Sequence, residues 1–111
     1  MFIAMNRFQV LKERAEAFEQ VWLTRESSLH ESPGFIAFHM LRGPEREDHI
    51  LYASHTTWAS RAAFEDWTRS EPFRRAHARA PGAQPLTLGH PVFEGFEVIQ
   101  TVTHPAAVAA A

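Results

Sequence analysis

A chain of 111 residues suits one domain, and its 45% apolar and 22% charged residues are ordinary values for a folded globular protein. The absence of cysteine excludes disulfides, thiolate metal sites and cysteine nucleophiles. A formal charge of −2, with basic residues scattered among acidic ones, argues against nucleic acid or an anionic membrane as a partner.

The N-terminal segment MFIAMNRFQV holds one arginine and no apolar stretch long enough for a signal peptide. No segment approaches the ~20 consecutive apolar residues that span a bilayer. We therefore expect a cytoplasmic protein that does not cross a membrane.

The first third of the chain predicts a strand and a helix. Residues 2–9 are rich in β-formers and carry apolar side chains on both parities, which is typical of a strand covered on both faces. From about residue 12 to residue 29, apolar residues recur at spacings of three, four and seven, which predicts an amphipathic helix. The breaker Ser32-Pro33-Gly34 follows.

The middle of the chain predicts a hairpin and a second helix. Residues 35–41 and 50–58 read as strands, and the charged segment 42–48, which contains Gly and Pro, reads as the turn between them. Ser60 is a suitable N-cap for a helix that carries Phe64 and Trp67 on one face.

The last third predicts a short helix, a loop, a strand and a tail. Pro72 suits the first position of a helix that reaches about residue 80. Residues 81–91, with three prolines and two glycines, predict a loop, and residues 93–102 predict a strand. The Ala-rich segment 103–111 predicts a disordered tail after a domain at 1–102.

The element order β-α-β-β-α-β indicates an α+β, ferredoxin-like domain with an antiparallel sheet and both helices on one face. Because the first strand is apolar on both parities, the other sheet face should also be covered. A second subunit is the simplest cover, so we expect a homodimer.

His77 is the first candidate for chemistry. In the predicted short helix it lies four residues after Phe73, so the two side chains share a face. Neutral imidazole is a common axial ligand of haem iron. The residues alone leave open a second interpretation, an exposed histidine near a helix C-terminus, where the helix dipole favours its charge.

Asn6 and Trp67 are the other two candidates. Asn6 shares its strand parity with apolar neighbours, and a polar amide there needs a hydrogen-bond partner, which could be a ligand or a nearby loop. Trp67 and Phe64 form an aromatic pair that is typical of a core but could also press against a flat ligand. Among the remaining histidines, His55 is the strongest rival ligand because it lies within a predicted strand.

Together with Asn6, the run WASRAAFEDWTRSEPFRRAH at residues 58–77 resembles the IsdG-type haem-degrading monooxygenases. These belong to the antibiotic-biosynthesis-monooxygenase superfamily of dimeric α/β barrels, and the likeness covers about residues 1–102. The resemblance implies that His77 is the axial ligand, that Asn6 hydrogen-bonds iron-bound dioxygen and that Trp67 packs on the haem. The full set of implied haem contacts is Asn6, Phe64, Trp67, Phe73 and His77.

The resemblance also implies that haem is both cofactor and substrate. Dioxygen and an external electron donor would open the porphyrin ring and release iron with a linear tetrapyrrole. Residues 81–91 would flank the pocket, with Gly82 and Gly89 allowing movement and with Gln84 or His90 near a propionate.

Three alternatives remain open from the sequence. The chain could be a cofactor-independent monooxygenase that oxidises quinols or aromatic compounds, in which His77 acts as a base. It could bind and store haem without degrading it, or it could be a structural dimeric barrel without a ligand.

Overall fold

The computed structural model describes residues 1–25, 28–76 and 85–105. A short 3-10 turn, Lys12–Arg14, precedes the first helix, and a second one, Leu29–Glu31, precedes the second strand. The main elements, in chain order, are β1 Phe2–Val10, α1 Ala15–Thr24, β2 Phe35–Glu45, β3 Ile50–Trp58, α2 Arg61–Thr68, α3 Glu71–Ala76 and β4 Val92–Glu97.

The four strands form one antiparallel sheet in the order β2-β3-β1-β4. Strand β1 is central, because it pairs with β3 on one side and with β4 on the other. This arrangement confirms the predicted α+β, ferredoxin-like fold.

Serine side chains begin both short helices. The Ser60 hydroxyl accepts a hydrogen bond from the Ala63 amide at 3.1 Å, so the predicted N-cap of α2 is confirmed. Ser70 accepts from the Phe73 amide at 3.2 Å in the same way, at the start of α3. The Ser70 cap lies in the turn between α2 and α3, which follow each other almost without a break.

The prediction of a continuous helix to residue 29 is wrong. Helix α1 ends at Thr24, and Arg25 has an extended backbone with φ −71° and ψ 131°. Ser28 is left-handed, with φ 55°, and a separate 3-10 turn follows it. The apolar spacing of Leu29 fits α1, but the chain has already turned before it reaches this residue.

Two strand boundaries also differ from the prediction. Strand β2 runs through the expected turn to Glu45, with an irregular register after Arg42. Because β2 is an edge strand, Pro44 removes no ladder hydrogen bond that a neighbour needs. Strand β4 ends at Glu97 and not at residue 102, because Glu97 pairs with Phe2 at the very start of β1.

The predicted loop after α3 is only partly described. Residues 77–84, which include the end of the predicted third helix, lie outside the described residues. The loop's second half returns to β1: the Leu11 amide donates to the Leu86 carbonyl at 3.0 Å, and the Leu88 amide donates to the Gln9 carbonyl at 2.8 Å. The predicted tail is described only as far as residue 105. Across the described ranges, no helix is both long and apolar enough to pass through a membrane.

The buried core lies on the helix face of the sheet in two separate clusters. The first cluster consists of Phe2, Ala4, Trp58 and Trp67. The second cluster consists of Phe8, Val10, Phe18 and Tyr52. The opposite face of the sheet, here called the open face, leaves Leu41, Val92 and Phe96 between 42% and 60% exposed.

Candidate functional site

The candidate site lies between the two core clusters. Even-numbered residues of β1 face the helices: Phe2 and Ala4 belong to the first cluster, while Phe8 and Val10 belong to the second. Asn6 stands between them, paired with Ser54 on β3 and with Phe93 on β4. The apolar face is therefore interrupted by one half-buried amide.

The Asn6 side chain makes no hydrogen bond with any other residue of the described ranges. Polar groups in such positions normally find a partner in protein, water or ligand. Asparagine is also a poor strand former, so local structure gives no reason for its presence here. An amide that is held on a rigid central strand and left unpaired can donate to, or accept from, a bound molecule.

A cavity of about 150 Å³ lies on the same helix-covered side of the sheet, against the C-terminal end of α1. Its walls are three aromatic rings, one aliphatic side chain and one cation, contributed by Trp22, Arg25, Leu29, Phe38 and Trp67. Trp22 and Phe38 stack nearly parallel, with ring centroids 5.7 Å apart and planes 16° apart. The flat, apolar walls suit a planar aromatic ligand.

Arg25 supplies the cavity's positive charge. Its guanidinium carbon lies 4.3 Å from the centroid of the Trp22 ring, within cation–π range. Burial lowers the pKa of the Arg25 guanidinium, although arginine remains charged at any physiological pH. Within the part of the chain that the structure describes, Arg25 forms no ion pair. Among these residues no carboxylate competes with a ligand carboxylate for its charge.

Arg25 was not identified as a site residue from the sequence. The available signal is its spacing of three from Trp22, because residues three apart are neighbours on a helix surface. The predicted helix also extends five residues past the observed end at Thr24.

The three aromatic candidates take different places. Trp67 is 8% exposed, lines the cavity and meets Phe73 edge to face, with centroids 5.8 Å apart. Phe64 stacks on Phe93 at 5.5 Å and packs against Phe2, away from the cavity walls. The structure thus brings Trp67 to the cavity, whereas Phe64 and Phe73 pack against the first cluster next to it. A haem contact for Phe64 or Phe73 stays a prediction.

The histidine candidates divide between the two faces of the sheet. His77 lies outside the described residues, as do Gly82 and Gln84; α3 ends immediately before His77 in the chain. His55 pairs with Met5, on the strand parity opposite to Asn6, so it points to the open face. As a rival ligand for a molecule that also contacts Asn6, His55 is therefore on the wrong side. His90 is exposed, and its neighbour Gly89 has φ 88°.

A second cavity, of about 480 Å³, adjoins the first and shares Trp22 and Phe38 with it. At its floor the buried Tyr52 hydroxyl donates to the Glu19 carboxylate, which also meets Arg42 at 3.2 Å. Burial raises the pKa of Tyr52, and the neighbouring Glu19 adds to the effect. This network ties α1 to the sheet and keeps a polar floor under aromatic walls.

With this geometry in place, comparison with known proteins becomes informative. The family model described as antibiotic biosynthesis monooxygenase matches residues 1–79. The chain belongs to this family. The region matched includes β1 with Asn6, both cavity-lining tryptophans and α3.

Within the antibiotic biosynthesis monooxygenase family, the chain is similar to two proteins that are named as heme oxygenases. It is 30% identical over 100 residues to the mycobilin-producing heme oxygenase of Mycobacterium tuberculosis, with 90% of each chain covered. It is 32% identical over 76 residues to the staphylobilin-producing heme oxygenase 1 of Staphylococcus aureus, over 68% of this chain and 70% of that protein.

A solved structure gives the same picture. The heme-degrader MhuD from Mycobacterium tuberculosis, with two hemes bound in its active site, superposes with a TM-score of 0.72 at 26% identity. The match covers 93% of this chain and 100% of that chain. The resemblance to haem-degrading members of the family, drawn from the sequence, is confirmed.

Proposed function

We propose that this chain is a haem-degrading monooxygenase that opens the porphyrin ring with dioxygen and electrons from an external donor. The observation that carries the proposal is the position of Asn6. Its amide is unpaired within the described residues and stands on the apolar sheet face that also contributes Phe38 to the aromatic cavity. The named activity of the relatives supports the same reading.

The cavity residues fit the chemistry of haem. A porphyrin is a flat apolar ring with two carboxylates at one edge. The cavity offers Trp22, Phe38 and Trp67 to the ring, and Arg25 to a carboxylate. An arginine over an aromatic ring is a suitable carboxylate partner, because its planar fork binds both carboxylate oxygens.

The size of the site also bears on the fit. Pockets for ligands of this kind measure about 300–1,000 Å³, so the cavity of about 150 Å³ is too small alone. The adjoining cavity of about 480 Å³ is separated from it by Trp22 and Phe38, which both cavities share. Rotation of these two rings would join the spaces and reach the required volume.

Each residue then has a defined task. By the family resemblance His77 would hold the haem iron, and α3 ends immediately before it in the chain. The Asn6 amide would donate a hydrogen bond to an oxygen species at the haem. Trp67, which packs against Phe73 and Trp58, would offer its ring to the porphyrin. When bound, haem itself supplies the oxidising chemistry, and the protein contributes binding, orientation and pocket polarity.

The open face of the sheet supports a homodimer. Leu41, Val92 and Phe96 expose 42%, 60% and 45% of their surface there. In this fold the helices cover only the other face, so a second copy of the chain is the simplest cover. We propose that two sheets pack through their open faces and that each subunit keeps its own cavity. A cytoplasmic location also remains a prediction.

The test is an absorption titration of the purified protein with hemin, followed by ascorbate in air with catalase and an iron chelator present. A saturable Soret band that then decays, with new absorbance from an open tetrapyrrole and chelated iron, is the expected result. His77→Ala should weaken hemin binding at least tenfold and abolish turnover. His55→Ala is the matched control, because His55 lies on the other face of the sheet.

Other outcomes would contradict the proposal in distinct ways. A saturable band that survives every reductant tried would indicate haem storage. The absence of a saturable band would leave the cofactor-independent monooxygenase as the better function. If His55→Ala removes the band and His77→Ala does not, the site is on the wrong face of the sheet.

A further inference from the structure

A row of three possible metal ligands crosses the open face of the sheet. His39 on β2 is directly opposite His55 on β3, and His55 is directly opposite Met5 on β1. Directly paired residues of antiparallel strands share a face, and their Cβ atoms lie about 4.5–5.5 Å apart. The row is therefore fixed by strand register and does not depend on a loop.

The two imidazoles are close enough to hold one ion. Their ring centroids are 6.2 Å apart, and the ring planes are inclined by 62°. A metal ion lies about 2.0–2.1 Å from each ligating histidine nitrogen, which allows centroid separations up to about 6 Å. A small rotation of either side chain brings both rings into range. His39 is exposed and His55 is half-buried, so both can adjust.

We propose that His39, His55 and Met5 form a copper site on the open face. Imidazole nitrogen suits copper, and the thioether of methionine is a soft ligand that selects Cu⁺. Copper also binds most tightly among the divalent first-row metals at a given nitrogen site. Imidazole and thioether donors favour copper over a hard cation such as Ca²⁺ or Mg²⁺, and the nearest carboxylate, that of Glu94 opposite Met5 on β4, is held by Arg7.

The surroundings of the row are compatible with a bound cation. The nearest fixed positive charge on the same face is Arg7, two residues beyond Met5 on β1. Its Nε lies 2.5 Å from a carboxylate oxygen of Glu94 on β4, so this charge is compensated. The next position of β2 on this face is the apolar Leu41. On such a charge-balanced surface, the nitrogen and sulfur donors can replace water molecules around a bound metal ion.

His55 and Met5 lie on the opposite side of the sheet from Asn6, whereas His39, on the edge strand β2, also lines the cavity of about 480 Å³. His55 and Met5 therefore separate the copper site from the proposed haem site. The copper site does lie on the face that we propose for dimerisation. The proposal therefore allows one copper ion per chain or one copper ion shared by the two chains of a dimer.

The experiment is a copper titration of the whole protein. Cu²⁺ binding is followed by calorimetry and by electron paramagnetic resonance, where two equivalent nitrogens should split the signal. Cu⁺ binding is followed anaerobically by competition with a chromophoric chelator. His39→Gln and His55→Gln should each weaken binding of both oxidation states at least tenfold. Met5→Leu should weaken Cu⁺ binding and leave Cu²⁺ binding within about twofold.

His30→Gln is the matched control, because His30 is an exposed histidine in the 3-10 turn Leu29–Glu31, outside the sheet. It should leave copper binding unchanged, and far-ultraviolet circular dichroism of each variant checks that the fold is intact. Copper affinity that is insensitive to both His39→Gln and His55→Gln overturns the site, as does the absence of saturable binding. Equal Cu⁺ affinity in the Met5→Leu variant removes Met5 from the ligand set.

Discussion

Replacing Asn6 by valine tests whether this amide serves the ligand or the fold. Asn6 is half-buried between the first and second clusters and makes no hydrogen bond within the described residues. Valine is close to asparagine in size, is a better strand former and adds apolar surface to an apolar face. We therefore expect Asn6→Val to stabilise the protein by about 0.5–1.5 kcal/mol.

The opposite sign follows if the amide has a structural role. An asparagine that is hydrogen-bonded to protein leaves its partner unsatisfied when it is replaced, at a cost of about 1–3 kcal/mol. The two interpretations therefore differ by about 1.5 kcal/mol or more, and in sign. For a domain of this size, each kcal/mol corresponds to a shift of about 4–8 °C in Tm.

The assay is urea unfolding at one fixed protein concentration, because dimerisation would make stability depend on concentration. The variant is then titrated with hemin and treated with ascorbate. We expect a higher urea midpoint, retained hemin binding and lost ring opening. Gln9→Val, which removes an exposed amide from the other face of the same strand, should leave turnover intact. A lower midpoint for Asn6→Val, or turnover at the normal rate, would refute the reasoning.

Three further predictions concern other parts of the molecule. Arg25→Ala should weaken hemin binding about tenfold, equal to about 1.4 kcal/mol, with partial recovery in Arg25→Lys, as measured by absorption titration. Tyr52→Phe should cost about 1 kcal/mol of unfolding free energy, because it removes the buried hydrogen bond to Glu19. Since burial raises the pKa of Tyr52, the folded state keeps its proton while the unfolded chain loses it above about pH 10. Stability should therefore fall above that pH in the parent protein, and less steeply in Tyr52→Phe. Gly95→Ala would place a Cβ 2.6 Å from Cζ of Phe2, so we expect a loss of about 1–3 kcal/mol in urea unfolding.

Much of the fold could be predicted because each element carries its own periodic signal. The β-forming residues of β1 and the cap at Ser60 depend on neighbours within a few residues, and both the strand and the cap are confirmed. The ends of α1 and β2 depend on distant contacts instead. The chain leaves α1 at Arg25 through a backbone turn, and β2 passes Pro44 because this strand is at the sheet edge. Neither condition is visible in the local sequence.

The candidate site was partly predictable for the same reason. Asn6 can be identified because it is a polar residue among apolar residues on one face of the strand. Trp67 can be identified because it belongs to the motif that resembles the family. The cation of the cavity is not recognisable, since Arg25 gains its role only when α1 ends before it. The network of Tyr52 with Glu19 and Arg42 joins α1 to two neighbouring strands, and no spacing in the sequence links these residues.

The separation of the first and second clusters has a consequence for how the molecule opens. Hydrophobic clusters that share no buried residue tend to unfold as separate cooperative units, which hydrogen exchange resolves. The amide hydrogens of α1 would exchange with solvent when the second cluster opens, and those of α2 when the first cluster opens. A flat apolar substrate in contact with both clusters would couple them, so that they unfold as one unit. Opening of the ring would remove this flat contact. The reaction itself would therefore make the protein around its product easier to unfold locally.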